Sequence, residues 1–408
     1  MESLGLKEGA PRGAQNQDRA NRQFMHRSQT GIRYGLTARI IAKVIEAVFP
    51  RPPFRAPPKE FSQEIKILMV ELFGLGDVAS LSVVFDPLLR AYPRAKIFIV
   101  CQKWCQEIYH QDPRVAQVIG IPTPWKAKGK TFFSLSAWRQ VIQAISGLQS
   151  LEFDWCIDTR GDVRSQLFAR WCRPARLVGP RDYMGSNIIL KGRLLSHSVG
   201  ILGPAHRYQR NCDCLQPVIG RSFEYKIPSL RVQKGPRQAS DKPRLLIHAS
   251  GGWKYKHWPE KRWEALIKQL LADGLWSLGL LSAPGEENTA RRLSEGASIP
   301  IEKPCLSSLL GLIQSYDAMV GTDSGPLNLA MLSGIPVVDL MGPGDAVMWA
   351  PPPGRGFLLQ EISNYPCHPC SQKKCVYPRS PCIEQISSRQ AVDAVKSLWV
   401  NVCREMNG

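Results

Sequence analysis

The sequence predicts an α/β protein built from two doubly wound, Rossmann-like domains that face each other across a cleft. Its 408 residues exceed the size at which a single hydrophobic core keeps growing. Short apolar segments alternate with helix-length segments, which is the pattern of a parallel sheet covered by helices on both faces. A polar stretch with proline and glycine interrupts this alternation near the middle of the chain, so we expect a linker between two domains.

Composition and charge limit the classes of function. The chain is 44% hydrophobic and 21% charged, which is typical of a globular protein. Its net charge of +19 favours a polyanionic partner, although charge alone does not choose among nucleic acid, anionic lipid and phosphorylated saccharide. The sequence has no run of about 18 apolar residues that would predict a membrane-spanning helix. Its first residues also lack the apolar core of a secretory signal peptide. We therefore expect a cytoplasmic protein.

Residues 1–60 form a basic, proline-rich arm that differs from the rest of the chain. They carry eleven basic and five acidic residues and end in RPPFRAPPKE. Apolar residues between Leu36 and Val48 occupy one half of a helical wheel, while Arg39, Lys43 and Glu46 occupy the other. This pattern predicts an amphipathic helix that either packs on the body of the protein or lies on a membrane surface.

The first Rossmann-like domain is predicted to span residues 61–225. Its strand candidates are the segments 65–72, 95–100, 115–121, 154–158 and 176–179, which are short and rich in Ile, Val and Leu. Helix-length segments lie between most of them, including 78–91 and 136–148. Together these segments predict a parallel sheet that is covered on both faces.

The second Rossmann-like domain is predicted to span residues 244–385, after a linker at 226–243. Its strand candidates are 244–248, 278–281, 318–321 and 337–340, and helices are predicted at 259–273, 309–315 and 326–333. Pro259 suits a first helical turn, and Gly274 and Gly334 suit helix C-terminal caps. Residues 386–408 are predicted to form a C-terminal helix. Two such domains place the carboxyl ends of their strands around a shared cleft, where ligands bind in doubly wound folds.

The first candidate binding motif, ELFGLGD, directly follows the first strand. Gly74 and Gly76 let a ligand approach the backbone, and a following helix N-terminus favours anions. The motif is not the dinucleotide fingerprint, because Ala79 stands where the third glycine would fall. Asp77 is therefore either a functional carboxylate or a cap for the helix that follows.

The second motif, HASGGWKYKHWP, follows the first strand of the second domain. A loop of small residues that includes Ser250 and Gly251, followed by Lys256, suits a diphosphate because the lysine supplies a compact positive charge. The alternative is that Lys256 is a solvated surface lysine beside a buried Trp258.

The third motif, VGTDSGPLNLA, also joins a strand to a helix. The amides of Ser324 and Gly325, together with the helix dipole, favour a bound phosphate, although Ser324 can equally be a simple helix cap. After another strand, the segment PGEE presents Glu286, whose carboxylate suits ribose hydroxyls.

Four cysteines near the C-terminus, Cys367, Cys370, Cys375 and Cys382, are separated by two, four and six residues. The spacing is not that of two CxxC knuckles, so we expect reduced structural thiols or a disulfide and no bound metal. The alternative is a structural zinc site, because four thiolates in so short a span are able to bind zinc.

Taken in order, the segments of the chain resemble glycosyltransferase family 9. The resemblance covers roughly residues 65–400 and rests on VELFGLGDVASLSVVFDPLLRAYPRAKIFIV, FDWCIDTRGDVRSQLFARW, HASGGWKYKHWPEKRWEALI, APGEE, VGTDSGPLNLAMLSGIPVVDLMGP and the cysteine-rich tail. The KHWPE element is similar to that of the lipopolysaccharide heptosyltransferases in particular. The resemblance implies the glycosyltransferase B fold.

The resemblance also implies an activity and a set of site residues. It implies inverting transfer of a heptose or related sugar from ADP-heptose to a lipopolysaccharide core or another lipid-linked anionic glycan, with Asp77 as the catalytic base. The residues that it implies for the donor are Ser250, Gly251, Lys256, Glu286, Asp323, Ser324 and Gly325. Those that it implies for the acceptor are Gly74, Gly76, Arg160 and Arg164. Asn328 stands where the family usually has histidine, so the identity of the donor and full activity stay open. The sequence does not name the acceptor hydroxyl either.

The expected partners follow from this interpretation. They are a nucleotide-sugar donor, an anionic lipid-linked glycan and the inner membrane surface, with peripheral association and no nucleic acid. No cofactor is expected, and the sequence has no Asp-x-Asp motif for a metal-bridged diphosphate. The alternatives are a family 9 transferase that uses another sugar nucleotide and a basic nucleic-acid-binding protein. Against the latter, no nucleic-acid-binding motif is apparent, and the glycine loops follow strands as ligand-binding loops do.

Overall fold

The computed structural model describes residues 64–126, 134–180, 194–200, 205–231, 242–368, 370 and 375–407. The predicted N-terminal arm lies outside these residues, as does most of the predicted linker. The domain boundaries at residues 60, 225, 243 and 385 stay predictions. Within the described ranges, two six-stranded parallel sheets with flanking helices confirm the predicted α/β fold.

The first sheet confirms the five strands predicted for the first domain and adds a sixth. Its strands are β1 Lys66–Glu71, β2 Lys96–Gln102, β3 Val115–Ile121, β4 Trp155–Asp158, β5 Arg176–Pro180 and β6 His197–Val199. They lie in the order β3-β2-β1-β4-β5-β6, and each pair is parallel. The chain order therefore reverses between β1 and β4, which creates a crevice at their carboxyl ends.

The helices of the first domain differ from the prediction in one place. They are α1 Leu75–Ala79, α2 Phe85–Ala91, α3 Leu135–Gln149, α4 Val163–Trp171 and α5 Arg207–Ile219. The single helix predicted at 78–91 is wrong, because a 3₁₀ segment at Ser80–Val84 separates α1 from α2. Pro87 explains the break: in a continuous helix its ring would clash with the carbonyl of Val83, so it is tolerated only in the first turn of α2.

The second sheet repeats the topology of the first. Its strands are β7 Arg244–His248, β8 Ser277–Leu281, β9 Ile301–Glu302, β10 Ala318–Thr322, β11 Val337–Leu340 and β12 Gly356–Leu359. Their order is β12-β11-β10-β7-β8-β9, again all parallel. The reversal now falls between β7 and β10, so both domains have an equivalent crevice.

Four helices of the second domain follow the prediction, and two more were not predicted. The helices are α6 Glu260–Asp273, α7 Glu287–Glu295, α8 Leu306–Gln314, α9 Gly325–Leu332, α10 Ala346–Trp349 and α11 Ser388–Asn407, of which α7 and α10 were not predicted. Pro259 directly precedes α6, and Gly274 ends it in the left-handed conformation at φ 62°. Gly334 is left-handed as well, just after α9. Helix α11 packs on α6 and on the β10–β12 side of the second sheet.

The two halves share an apolar core, which holds the two crevices opposite each other. One cluster of buried residues contains Leu75 and Val78 from the first half and Leu309 and Leu327 from the second. Helices α1 and α9 are in contact across this boundary. Among the helices of the described residues, none combines the length and apolarity that crossing a bilayer requires.

Candidate active site

The candidate site lies where the carboxyl ends of the two sheets face each other. The loops after β1 and β4 carry Asp77 and Arg160, and those after β7 and β10 carry Lys256 and Ser324. These are the first and fourth strands of each sheet, at the reversal of strand order, where doubly wound folds bind their ligands. Glu286 follows β8, the neighbouring strand.

Asp77 occupies the first turn of α1 and has two kinds of partner. Its Oδ2 accepts a hydrogen bond from the amide of Gly74 at 3.2 Å, so the helix-capping interpretation describes part of its role. Its Oδ1 lies 2.7 Å from Nη1 of Arg160 and 3.6 Å from Nε of Arg207. The carboxylate is thus fixed by one amide and two guanidinium groups and remains partly accessible.

Arg160 and Arg164 place positive charge beside Asp77. The guanidinium of Arg160 stacks on Phe73 at 3.8 Å from the ring centroid, and that of Arg164 lies 5.8 Å from the same ring. Arg164 is exposed and pairs with Asp162, the N-cap of α4, at 2.8 Å. Arg160 and Arg164 therefore form a cationic edge next to the carboxylate of Asp77, which suits an anionic ligand.

A fully buried ion pair lies behind Asp77. Arg207 and Glu71 are both 0% exposed, and their Nη2 and Oε2 atoms are 2.5 Å apart. Arg207 also donates to the carbonyl of Thr159 at 2.8 Å and to its hydroxyl at 3.2 Å. Burial raises the pKa of Glu71, and the charge of Arg207 opposes that rise. This pair ties the loop after β1 to the loop after β4.

Asp158, at the end of β4, holds the Arg160 loop. It accepts hydrogen bonds from the amides of Arg160 and Gly161 and from the hydroxyl of Ser165. Burial raises its pKa to about 7, although the hydrogen bond from Ser165 works in the opposite direction. The conformation of this loop therefore depends on a carboxyl group that titrates near neutral pH.

Across the cleft, Lys256 is part of a charged cluster rather than a solvated surface lysine. Its side chain is 16% exposed, and its Nζ lies 2.6 Å from Oδ2 of Asp323. Trp258 is buried, as expected. Asp339 on β11 is 1% exposed, and within the described chain its Oδ1 has no hydrogen-bond partner. Burial and the nearby charge of Asp323 raise the pKa of Asp339 well above its ordinary value, which favours the neutral form of this carboxyl group.

A hydrogen-bonded group links Ser324 to Glu286 through His248. Nε2 of His248 lies 3.2 Å from Oε2 of Glu286, so this nitrogen donates, because a carboxylate only accepts. Nδ1 then accepts from the hydroxyl of Ser324 at 3.2 Å. Burial disfavours the ionised form of Glu286, but hydrogen bonds from His248 and the amide of Ala283 outweigh it and lower the pKa to about 2. Ser324 begins α9, yet its side chain makes no capping bond.

The glycines of the second-domain loops are closely packed. A Cβ atom on Gly251 would lie 3.2 Å from Lys256 and from the hydroxyl of Thr322. One on Gly325 would lie 2.9 Å from Cβ of Leu75, which belongs to the first domain. Side chains at these positions would therefore push Lys256 and helix α1 away from the cleft.

Asn328 connects the two halves of the site. Its side chain packs against Gly76, where a Cβ atom would lie 3.2 Å from it. It donates to the carbonyl of Ser324 at 3.0 Å and accepts from the hydroxyl of Tyr208 at 3.3 Å. Gly76 thus faces the helix that starts at Ser324, whereas Gly74 fixes Asp77.

The cysteines of the described residues are free thiols. Burial raises the pKa of Cys382 to about 11, and Cys367, Cys370 and Cys375 are close enough to add to this effect. Over the part of the chain that the structure describes, no three metal-ligating side chains are arranged to hold an ion. Residues 369 and 371–374, between these cysteines, lie outside that part, so the alternative of a structural metal site stays a hypothesis.

Sequence reasoning missed several residues of the site. Glu71, Asp158, His248 and Asp339 lie in segments quoted for the motifs or for the family resemblance but were not singled out, and Arg207 and Tyr208 lie outside those segments. A polar residue inside an apolar strand, as at Asp339, was the available signal. Arg207 and Tyr208 carried no such signal, since their partners are far away in the sequence.

Two facing Rossmann-like domains, with a carboxylate on one side of the cleft and a lysine and a helix N-terminus on the other, have the architecture of the glycosyltransferase B fold. The solved structures of similar fold include glycosyltransferase family 9 from Veillonella parvula, with a TM-score of 0.68, 16% identity and coverage of 85% of this chain and 99% of that one. Another is the Escherichia coli heptosyltransferase WaaC with ADP-2-deoxy-2-fluoro heptose, with a TM-score of 0.65, 20% identity and coverage of 82% and 99%.

The sequence comparisons identify the family. The model of glycosyltransferase family 9 (heptosyltransferase) matches residues 141–380. Lipopolysaccharide heptosyltransferase 1 of Escherichia coli O18:K1:H7 is 24% identical over 290 residues, which cover 69% of this chain and 87% of the relative. The chain belongs to glycosyltransferase family 9, as its motifs predict.

Proposed function

We propose that this protein is an inverting heptosyltransferase that transfers a heptose from ADP-heptose to an anionic, lipid-linked glycan such as a lipopolysaccharide core. The observation that carries the proposal is the contact between Gly76 and Asn328. It brings the loop of Asp77 against the helix whose N-terminus is suited to a phosphate. A sugar held by its diphosphate at that helix would present its anomeric carbon toward Asp77.

In this mechanism Asp77 is the general base. The acceptor hydroxyl attacks the anomeric carbon while Asp77 takes its proton, and the bond between that carbon and the diphosphate oxygen breaks. ADP leaves with the bonding electron pair, and the product has the inverted configuration. Arg160 and Arg164 lie beside Asp77 and would hold an anionic group of the acceptor.

The donor would bind to the second domain. Glu286, held ionised by His248, suits the ribose hydroxyls, and Ser250 contributes a hydroxyl that lies 3.3 Å from His248. Lys256 and the amides at the start of α9 suit the diphosphate, whose charge grows as the glycosidic bond breaks. These groups supply positive charge from the protein itself, so we propose that transfer does not require a metal.

The partners and location belong to the same proposal. A relative was solved with ADP-2-deoxy-2-fluoro heptose, which makes ADP-heptose the first donor to test. The acceptor is anionic and lipid-linked, so we propose that the protein works at the cytoplasmic face of the inner membrane, bound peripherally. The net charge of +19 favours contact with an anionic surface.

The test is the substitution Asp77→Asn, with the acceptor and ADP-heptose as substrates. We expect turnover to fall by about 10² to 10⁴, because the base is lost, while the donor dissociation constant measured by calorimetry stays nearly unchanged. The matched control is Asp86→Asn, a carboxylate on α2 that pairs with Arg114 outside the cleft. Wild-type turnover by Asp77→Asn would show that Asp77 is only a helix cap. A panel of other nucleotide sugars in the same calorimeter tests the donor.

A further inference from the structure

The first turn of α5 contains three consecutive side chains that connect the two domains to the candidate base. His206 is the N-cap of this helix, and Arg207 and Tyr208 are its first residues. His206 and Tyr208 contact the second domain. Arg207 forms the buried ion pair with Glu71 behind Asp77. Helix α5 itself packs on the first sheet.

Arg207 is held rigidly and lies close to Asp77. Its contacts with Glu71 and Thr159 fix the guanidinium group, and the whole side chain is buried. Glu71 in turn accepts from the amide of Phe73 at 3.1 Å, inside the loop that leads to Asp77. The 3.6 Å between Nε of Arg207 and Oδ1 of Asp77 is longer than a hydrogen bond, so Arg207 acts through its charge and through the loop.

The two residues beside Arg207, His206 and Tyr208, form hydrogen bonds with the second domain. Nδ1 of His206 accepts from the amide of Tyr208 at 3.3 Å, so its Nε2 carries the proton and donates to the carbonyl of Ala350 at 3.0 Å. The hydroxyl of Tyr208 donates to Asn328, whose amide group donates to the carbonyl of Ser324 in the proposed donor site. Docking of the second domain therefore fixes the turn that carries Arg207.

We propose that Arg207 is a positioning residue for Asp77, and that His206 and Tyr208 make the position of Asp77 depend on docking between the two domains. The role of Asp77 as base rests on the proposed function. The physical connection between α5, the loop at residues 71–77 and Asn328 does not, so it has a test of its own.

The first experiment separates turnover from donor binding. Arg207→Gln should lower kcat by about 10²-fold, since small displacements of a reacting group cost this much, while the donor dissociation constant stays within about twofold. Arg207→Lys should recover part of that loss because it keeps the positive charge. If Arg207→Gln folds and has wild-type kcat, Arg207 does not position the base.

The second experiment uses no substrate and leaves Arg207 unchanged. Tyr208→Phe removes one hydroxyl and keeps the shape of the ring, so it should fold. We expect amide hydrogen exchange in residues 74–79 to rise by about threefold, because the turn loses its contact with Asn328. Tyr225→Phe is the matched control: its ring packs against Tyr208 at 5.4 Å, and its hydroxyl makes no hydrogen bond within the described residues.

The two experiments give distinguishable failures. If the wild-type protein neither binds nor transfers a sugar nucleotide, the proposed function is wrong, and the exchange of residues 74–79 still decides whether the domains are coupled. If Tyr208→Phe and Tyr225→Phe exchange alike, the coupling is wrong even when transfer is observed. Greater exchange in Tyr208→Phe together with a fall in kcat of about fivefold, the worth of one hydrogen bond, supports both.

Discussion

At the scale of single residues, the site depends on charges that are balanced by neighbours. Lys256 is paired with Asp323, and burial together with the charge of Asp323 raises the pKa of Asp339 nearby. A second ionised carboxylate in this place would weaken the attraction for a diphosphate. The raised pKa of the buried Asp339 therefore favours diphosphate binding at the proposed donor site.

Substitution of Lys256 tests this balance. Lys256→Ala should weaken donor binding and slow transfer together, because the lysine meets a diphosphate whose charge grows during the reaction. Calorimetry and steady-state kinetics measure the two effects. Lys254→Ala is the matched control, since Lys254 is exposed and lies over the ring of Tyr255 in the same short segment. If the two variants have the same donor affinity and the same transfer rate, Lys256 is not part of the donor site.

The titration of Asp158 gives a prediction about stability. Its pKa rises from an ordinary 3.8 to about 7 in the folded protein, so protonation stabilises the fold fully below about pH 4 and this contribution is lost as the pH rises through 7. The Asp158→Asn variant has no carboxyl group that titrates at this position. The unfolding free energy of wild type minus that of the variant should therefore fall between pH 4 and pH 7, by at most roughly 4 kcal/mol. Parallel curves in denaturant titrations would contradict this.

Sequence patterns predicted some residues of the site and missed others for a physical reason. The glycine loops around Gly76, Gly251 and Gly325 are visible because a strand, a turn and a helix follow one another locally. The roles of His248 and Arg207 depend on partners many residues away, Glu286 and Glu71, and no local period records such contacts. Geometry at the carboxyl ends of two sheets brings these pairs together.

At the scale of elements, the strands and helices that the sequence predicts are those whose hydrophobic pattern is complete within one segment of the chain. β1 and β10 are continuous apolar runs and were predicted to within a residue or two. β6, β9 and β12 were missed because they are short and only partly buried. α5 was missed because three of its polar residues, Arg207, Arg210 and Asn211, are buried against other elements and Pro217 lies inside it.

The contact between α1 and α9 gives a prediction at this scale. Gly325→Ala would place a Cβ atom 2.9 Å from Leu75, so we expect a loss of about 1–3 kcal/mol in unfolding free energy from overpacking. The control is Gly311→Ala inside α8, where no heavy atom lies within 4 Å of the added Cβ. That variant should gain about 0.5–1 kcal/mol, because alanine favours a helix interior. Thermal or urea unfolding of both variants shows whether their signs are opposite.

At the scale of the whole molecule, a strongly basic protein is expected to meet the lipid-linked acceptor proposed for it at an anionic surface. The N-terminal arm of residues 1–60 has a net charge of +6, and the remaining excess of basic residues belongs to the other 348 positions. Each basic residue near an anionic membrane contributes about 1 kcal/mol, which salt screens within a Debye length. Arm and body therefore both favour peripheral association.

Deletion of residues 1–60 separates the two contributions. We expect transfer to a soluble, delipidated acceptor to stay nearly unchanged, whereas co-sedimentation with anionic vesicles at low salt falls, because the arm's charge is lost. Vesicles of neutral lipid are the control. If truncated and full-length proteins co-sediment equally, the folded domains make the membrane contact. Loss of soluble activity would show that the arm is part of the fold.

The position of α11 in the chain has a consequence for how the protein is made. Trp258, beside the Lys256 loop, donates to the carbonyl of Ile386, and Ile383 packs against Gly342. The second sheet's core therefore stays open until residues 383–402 have left the ribosome, whereas every strand of the first sheet precedes residue 200. Domains fold as units while synthesis proceeds. The half that carries Asp77 is thus ready to serve as a docking surface on which the half that carries Lys256 completes its fold.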